Sequence, residues 1–298
     1  MASNRVFPFP KVAFVLRRAA LAMIMAGAAT LASAATPAAP GNGTYLALGD
    51  SIAFAYIAAD GYAYVNPDNF VGYVNYVGAD LRLDTANGAC PGESSSSFVS
   101  ATGADNGCRD FRSNFPLHVN YASIQLDFAT NFLATHKQTR LVTIMLGAND
   151  ALLLEQSCLG DPVCIQNGIP GVAATLFANM DTILHDLRAS GFHGVLMVVN
   201  YYSLDYTDPL QTGLTTAFNQ ILVEAAQAHG AVVADVFTAF QTAASSSFAG
   251  GQTCKAGLLN VNPSDPTQMS CDVHPTQSGQ RLIANTVEAR YQAALLGL

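Results

Sequence analysis

Short apolar runs alternate with amphipathic segments along most of this 298-residue chain. Four of the runs are continuously apolar, which is typical of strands that are buried on both faces of a parallel sheet. The predicted strands are residues 44–48, 141–146, 195–199 and 231–237, the last of them counted as the fifth strand of the sheet. Apolar residues at helical spacing predict helices at 52–59, 69–83, 117–136, 172–188, 214–229 and 276–296.

The alternation of strands and helices predicts an α/β protein, a three-layer α/β/α sandwich around a doubly wound parallel sheet. Because no internal repeat and no further linker follows residue 43, residues 44–298 are predicted to form one domain. Two long segments, 84–116 and 245–269, lack a strand or helix pattern and are predicted to be loops. Long loops of this kind usually carry function.

Six cysteines fall into three near pairs, two of which lie within or beside these loops. The even number and the short separations favour three disulfides, although other pairings are possible on the sequence alone. No CxxC or histidine-rich spacing supports a metal site, so neither a metal nor a cofactor is expected. The favoured pairs are Cys90 with Cys108, Cys158 with Cys164, and Cys254 with Cys271.

The first 34 residues have the pattern of a secretory signal peptide. Four basic residues precede an apolar core at 19–31, and Ala32-Ser33-Ala34 is a small-x-small cleavage motif. The core is shorter than the roughly 20 residues that a membrane span requires. We therefore expect cleavage after Ala34, a linker at 35–43, a secreted or periplasmic protein, and no membrane anchor after cleavage.

The charge of the chain excludes one class of partner. Cleavage after Ala34 removes four of the 13 basic residues and none of the 21 acidic ones, so the formal net charge changes from −8 to −12. A protein this acidic is repelled by the phosphates of nucleic acids, and no nucleic-acid partner is expected.

The first strand ends at Gly49-Asp50-Ser51, which precedes a short helical segment. This position brings the Ser51 hydroxyl to the carboxyl edge of the sheet, close to backbone N–H groups and the positive end of a helix dipole. A nucleophile whose product is an oxyanion benefits from such surroundings. The alternative is that Ser51 merely caps the helix.

Other strand ends bring further reactive side chains to the same edge. Asn149 follows the third strand, and Tyr201 and Tyr202 follow the fourth. The segment that enters the terminal helix contains Asp272 and His274. The two tyrosines are candidates for the wall of a substrate pocket, although core packing explains them equally well.

Four motifs of the chain resemble, in order and spacing, the signature blocks of the GDSL, or SGNH, hydrolase family. The resemblance covers essentially all of residues 44–298 and implies the SGNH hydrolase fold, a flavodoxin-like doubly wound sheet of five parallel strands. The motifs are Gly49-Asp50-Ser51, Ala89-Cys90-Pro91-Gly92-Glu93-Ser94, Gly147-x-Asn149-Asp150 and Asp272-x-His274-Pro275.

The resemblance implies a role for each matching residue. Ser51 is the expected nucleophile and His274 the expected general base. The expected oxyanion hole consists of the backbone N–H groups of Ser51 and Gly92 and the side-chain amide of Asn149.

One position departs from the pattern of the family. The carboxylate that orients the histidine usually lies three residues before it, and Cys271 occupies that position here. Asp272, two residues before His274, is the expected orienting carboxylate, and a backbone carbonyl is the alternative.

These residues together predict a secreted carboxylic ester hydrolase, an esterase or lipase of the GDSL type. Its expected substrate is a small-molecule or lipid ester, and the protein is expected to be a monomer. Three alternatives stay open: a carbohydrate O-deacetylase, a (lyso)phospholipase, and a non-catalytic cell-surface binding protein that kept the fold.

Overall fold

The computed structural model describes residues 43–58, 61–262, 264 and 270–298. The predicted signal peptide (1–34) lies outside the described residues, as does the predicted linker (35–43) except for its last residue. No helix in the described part of the chain is long and apolar enough to cross a membrane.

The central sheet has five parallel strands in the order β2-β1-β3-β4-β5. This is the flavodoxin-like order of a doubly wound sheet, so the predicted fold class is confirmed. The strands are β1 (Thr44–Gly49), β2 (Asp84–Asn87), β3 (Thr139–Met145), β4 (Val195–Val199) and β5 (Val232–Ala234).

Helices cover both faces of the sheet. Alternate residues of β1 show this directly, because Tyr45 and Ala47 belong to one buried apolar cluster while Leu46 and Leu48 belong to another. The helices are α1 (Ser51–Phe54), α2 (Tyr73–Leu81), α3 (Ser95–Val99), α4 (Cys108–Asn114), α5 (Gln125–Thr135), α6 (Ala148–Ser157), α7 (Pro162–Ala189), α8 (Pro209–Ala228), α9 (Val236–Ala244) and α10 (Gln277–Leu295).

The prediction that residues 84–116 form a loop is wrong. The segment contains β2, α3 and α4. β2 is an edge strand with the polar sequence Asp-Thr-Ala-Asn and two exposed residues, so it lacks the apolar signal of the inner strands. The two helices are short, and serines and charged residues supply most of their positions.

The loop prediction for residues 245–269 is also wrong in part. β6 (Leu259–Val261) lies in this segment and pairs with β7 (Cys271–Pro275) in a separate antiparallel ribbon. His274 therefore lies in a strand.

Several predicted element boundaries also differ from the structure. The strand predicted at 231–237 ends at Ala234, because Asp235 caps α9 by accepting a hydrogen bond from the Thr238 N–H. The helix predicted at 117–136 begins only at Gln125, after a segment in which the Asn120 side chain accepts a hydrogen bond from the Leu117 N–H. α7 begins ten residues before its predicted start, at Pro162, after the cap Asp161.

All three predicted disulfides are present. Cys90 bonds to Cys108, Cys158 to Cys164, and Cys254 to Cys271. The Cys254–Cys271 bond anchors the first residue of β7, and the Cys90–Cys108 bond closes the segment that contains α3. Both bonds therefore stiffen the chain beside residues that the sequence predicts to be functional.

Candidate active site

Ser51 lies where β1 ends and α1 begins. Gly49 has a φ of +134°, and a Cβ there would lie 2.1 Å from the Met145 carbonyl oxygen, so only glycine allows the chain to turn this close to β3. The cap of α1 is Asp50, whose carboxylate accepts a hydrogen bond from the Ile52 N–H at 2.9 Å. The interpretation of Ser51 as a capping serine is therefore wrong.

The Ser51 hydroxyl instead contacts His274. The distance from Ser51 Oγ to His274 Nε2 is 3.0 Å, although 223 positions separate the two residues in the chain. Because α1 is only four residues long, a helix dipole adds little at Ser51, contrary to the expectation from the sequence.

Two contacts hold the strand of His274, and an aromatic ring lies near its imidazole. The Cys254–Cys271 bond fixes one end of β7. The Tyr202 hydroxyl donates to the Val273 carbonyl oxygen at 2.5 Å. The Tyr56 ring lies 5.0 Å from the imidazole, measured between ring centroids.

Asp272 lies beside the imidazole in an unusual way. Its Oδ1 accepts a hydrogen bond from the backbone N–H of His274 at 2.6 Å and lies 3.3 Å from His274 Nδ1. The second contact lacks hydrogen-bond geometry, and Nδ1 is buried without another hydrogen-bond partner among the described residues. Because Asp272 lies only two residues before His274, its carboxylate is closer to the backbone N–H of His274 than to the imidazole nitrogen.

Gly92 and Asn149 lie on two different segments that meet at Glu93. Gly92 follows Cys90 in the turn after β2 and has a φ of +83°. Asn149 is the second residue of α6 and is 5% exposed. Its Nδ2 donates to the Glu93 carbonyl oxygen at 2.9 Å. Because an amide nitrogen carries two hydrogens, one remains for a ligand.

The hydroxyls of Tyr201 and Tyr202 donate hydrogen bonds to residues next to Ser51 and His274, namely Asp50 and Val273. The Tyr201 hydroxyl donates to Asp50 Oδ2 at 2.5 Å. Tyr202 is buried and stacks on Phe240, with ring centroids 4.3 Å apart. Their contribution to a substrate pocket stays a prediction, while their hydroxyls support Asp50 and β7.

Two buried carboxyl groups next to these residues have raised pKa values. Burial raises the pKa of Asp50 from 3.8 to about 6, although hydrogen bonds from Tyr201 and Ile52 lower it. Burial raises the pKa of Glu93 from 4.5 to about 7, against hydrogen bonds from Ser97 and Gln125. Both groups therefore favour the neutral form in the folded protein more than in the unfolded chain.

The raised pKa of Glu93 predicts a pH-dependent stability. Between about pH 4.5 and 7 the folded protein binds more protons than the unfolded chain, so the free energy of unfolding falls as pH rises through this window. For Glu93 the loss is about 3 kcal/mol. The Glu93→Gln variant, which stays neutral at every pH, is expected to lose less stability than the wild type between pH 5 and pH 8 in thermal unfolding.

The exposed Glu155 provides the matched control for this prediction. Glu155→Gln removes the same charge and is expected to melt in parallel with the wild type at each pH. Melting curves of Glu93→Gln that also run parallel to the wild type would contradict the raised pKa.

Sequence reasoning missed several residues that support the site. The Gln125 side chain accepts from the Gly49 N–H at 2.7 Å, donates to the Gly49 carbonyl oxygen at 3.1 Å, and donates to Glu93 at 3.0 Å. The Asn106 side chain donates to Asn149 Oδ1 at 2.9 Å. Neither residue belongs to a periodic pattern or a motif, so no sequence signal identifies it.

One cluster of potential metal ligands exists within the described residues, namely Cys90, Glu93 and Cys108. Its two sulfur atoms are joined in a disulfide and offer no thiolate. The cluster therefore lacks the donors that a metal ion requires.

Comparisons with known proteins identify the family of the chain. A family model described as GDSL-like Lipase/Acylhydrolase family matches residues 47–282. No curated protein matches the sequence.

Three solved structures share the fold at low sequence identity. Phospholipase A1 from Streptomyces albidoflavus NA297 is 19% identical, with 84% of this chain and 100% of that chain covered and a TM-score of 0.53. LAE5, an alpha/beta hydrolase enzyme from the metagenome of Lake Arreo, is 16% identical, with 85% and 97% covered and a TM-score of 0.51. A catalytic mutant of Axe2, an acetylxylan esterase from Geobacillus stearothermophilus, is 15% identical, with 84% and 95% covered and a TM-score of 0.50.

Proposed function

The chain belongs to the GDSL-like lipase/acylhydrolase family, and on that premise we propose that it is a secreted esterase that hydrolyses apolar esters through Ser51 and His274. The observation that carries this proposal is the 3.0 Å contact between Ser51 Oγ and His274 Nε2. A serine hydroxyl needs a base within hydrogen-bond reach to act as a nucleophile near neutral pH.

In the first step, Ser51 Oγ attacks the ester carbonyl carbon while its proton moves to His274 Nε2. The carbonyl double bond opens and its oxygen becomes an oxyanion. The backbone N–H groups of Ser51 and Gly92 and the second Asn149 Nδ2 hydrogen are the proposed donors to it. Donors that are held in place before the reaction need no reorganisation when the charge develops, which is why they lower the barrier.

The tetrahedral intermediate then collapses and the bond to the alcohol breaks. His274 gives its proton to the leaving oxygen, so an alcohol departs and an ester of Ser51 remains. A water molecule repeats the sequence: His274 takes its proton, its oxygen attacks the acyl carbon, and Ser51 recovers the proton as the acid leaves.

Asp272 is the proposed partner of the imidazolium that forms in both steps. For Nε2 to accept the serine proton, the neutral imidazole must carry its hydrogen on Nδ1. Asp272 Oδ1 lies 3.3 Å from that nitrogen, close enough to stabilise the positive charge of the imidazolium. Its hydrogen bond with the His274 backbone holds the carboxylate in place.

The half-buried Tyr56 ring next to His274 supports an apolar ester as the substrate. Tyr56 is tilted against the imidazole and forms the edge of an aromatic surface that packs onto the core through Tyr64, Phe111 and Phe115, with ring centroids 5.2 to 6.1 Å apart along the series. A ring beside the base can contact an apolar acyl or alcohol group of a bound ester. Each methylene that such a group buries contributes about 0.8 kcal/mol.

The cysteines support the proposed export from the cytosol. All six form disulfides, which persist in proteins outside the reducing cytosol. The basic and apolar pattern of residues 1–34 supports export through a cleaved signal peptide.

A series of p-nitrophenyl esters from acetate to palmitate tests the proposed substrate. We expect kcat/KM to rise by about tenfold from acetate to a longer acyl chain, as a few buried methylenes provide. Tyr56→Ala is expected to reduce this preference and to leave the rate on acetate within about threefold. Phe248→Ala, at an aromatic residue that is 83% exposed and outside the aromatic surface, is the control and should change neither.

The same series separates the alternatives. A profile that peaks at acetate would favour a carbohydrate O-deacetylase, the activity of the acetylxylan esterase that shares the fold. Higher kcat/KM on lysophospholipids than on any p-nitrophenyl ester would favour a phospholipase. A folded protein that hydrolyses no ester would favour a binding protein.

A further inference from the structure

We propose that Asn106 is a positioning residue that holds Asn149 and Gly92 in the arrangement required to bind the oxyanion, an inference that rests on the proposed function. Asn106 lies in the segment between α3 and α4, outside all four motifs of the sequence. It is half-buried, and the Cys90–Cys108 disulfide closes the segment around it.

The backbone of Asn106 is in direct contact with Gly92. The Asn106 N–H donates to the Gly92 carbonyl oxygen at 2.8 Å. A Cβ at position 92 would lie 2.3 Å from the Asn106 carbonyl oxygen, so the two backbones approach more closely than any other residue at position 92 would permit. This contact fixes the position of the Gly92 backbone relative to the segment between α3 and α4.

The side chain of Asn106 holds the oxygen of the Asn149 amide. Asn149 Nδ2 donates to the Glu93 carbonyl oxygen, which can only accept. Asn149 Oδ1 must then accept, and Asn106 Nδ2 donates to it at 2.9 Å. Asn106 Oδ1 in turn accepts from Gln156 Nε2 at 2.9 Å.

The Glu93 carbonyl oxygen sets the direction of this chain of three amides, because a carbonyl can only accept. If the Asn149 amide rotated by 180°, its oxygen would face the Glu93 carbonyl oxygen and would be presented, in place of an N–H, to the developing oxyanion. The hydrogen bond from Asn106 would also be lost unless the Asn106 amide rotated as well, which would turn its nitrogen toward Gln156 Nε2. Asn106 therefore adds to the cost of the inactive orientation of Asn149.

The Cys90–Cys108 disulfide, and not the Asn106 side chain, anchors the segment between α3 and α4. Because the Cys90–Cys108 bond and the Asn106 backbone already close the segment, the side-chain amide is not needed to keep it folded. Replacing the amide by an apolar group of similar shape should therefore affect the reaction more than the stability.

The experiment compares Asn106→Leu, Asn149→Ala and the double variant on one p-nitrophenyl ester. Asn149→Ala should lower kcat about 100- to 1,000-fold, the usual cost of one side-chain oxyanion donor. Asn106→Leu should lower kcat about tenfold, with KM within about threefold of the wild type. In the Asn149→Ala background, Asn106→Leu should have no further effect, because Asn106 acts through Asn149.

Two controls and one ligand complete the test. Asn114→Leu, at an exposed asparagine at the end of α4, should leave kcat and KM unchanged. Gln156→Ala should lower kcat less than Asn106→Leu, since it removes only the hydrogen bond between Gln156 and Asn106.

The affinity of an alkyl boronic acid, whose tetrahedral serine adduct resembles the intermediate, should fall in proportion to kcat/KM. Asn106→Ala replaces Asn106→Leu if the leucine lowers the melting temperature by more than a few degrees.

Each result has a distinct meaning. If Asn149→Ala lowers kcat and Asn106→Leu does not, or if the two effects multiply in the double variant, the role of Asn106 is refuted while the proposed function stands. If Asn149→Ala itself has no effect, the proposed oxyanion hole is wrong, and the inference about Asn106 falls with it.

Discussion

Ser51→Ala is expected to lower kcat/KM by about 10⁶-fold, the loss seen when a catalytic serine is removed from a serine hydrolase. The melting temperature should change by no more than about 2 °C. The structure gives the reason for this separation, since Asp50 rather than Ser51 caps α1, and the recorded side-chain contact of Ser51 is with His274. Hydrolysis of p-nitrophenyl butyrate and thermal unfolding measure the two quantities.

Labelling by a serine-directed phosphonate adds an independent readout. The wild type should form one covalent adduct per chain at Ser51, and Ser51→Ala should form none. Ser113→Ala, at an exposed serine of α4, is the matched control and should label and hydrolyse like the wild type. A large fall in melting temperature for Ser51→Ala would instead identify a structural residue. A stable variant with normal activity would move the nucleophile elsewhere.

Asp272→Asn is expected to lower kcat by at least about 100-fold, with KM nearly unchanged. The amide oxygen of the variant can still accept from the His274 N–H, so the conformation of β7 is retained. The negative charge 3.3 Å from Nδ1 is lost, and the imidazolium that forms during the reaction loses its counter-charge. Neutralising the carboxylate of a catalytic triad costs about 10⁴-fold where it is directly hydrogen-bonded. The longer contact here makes a smaller loss reasonable.

The split between kcat and KM distinguishes this role from a structural one. Loss of the charge should lower kcat and leave KM and the melting temperature nearly unchanged, because the charge acts only on the imidazolium of the reaction. Asp110→Asn, at an exposed aspartate of α4, controls for the change in net charge and should change none of the three quantities. A loss in kcat below about tenfold would favour orientation of His274 by the backbone.

The inner strands could be predicted from the sequence, and the edges could not. β1, β3 and β4 are buried on both faces, so their apolar runs are continuous and their bounds agree with the prediction to within two residues. β2 and β7 are paired at edges with polar residues, and their positions follow from strand pairing over long distances in the chain. Short-range patterns carry no information about such pairing.

Disulfides illustrate the same division. Three near pairs of cysteines were enough to predict the three bonds, because a short closed loop brings its ends together readily. What those bonds hold in place is a tertiary matter. Cys271 occupies the position of the usual orienting carboxylate and pins β7 instead.

The sequence by itself determined the residue types at the strand ends, namely the serine, the glycine, the asparagine and the histidine. It also determined the topology that brings those strand ends to one edge, since both depend on local patterns and on the chirality of strand–helix–strand units. Only the tertiary structure decided the finer geometry. Asp50 caps α1 and leaves the Ser51 hydroxyl to His274, and Asp272 bonds first to the His274 backbone. Asn106 donates a hydrogen bond to the Asn149 amide oxygen. Hydrogen-bond direction depends on distances of a few tenths of an ångström between segments remote in the chain, and no sequence pattern records it.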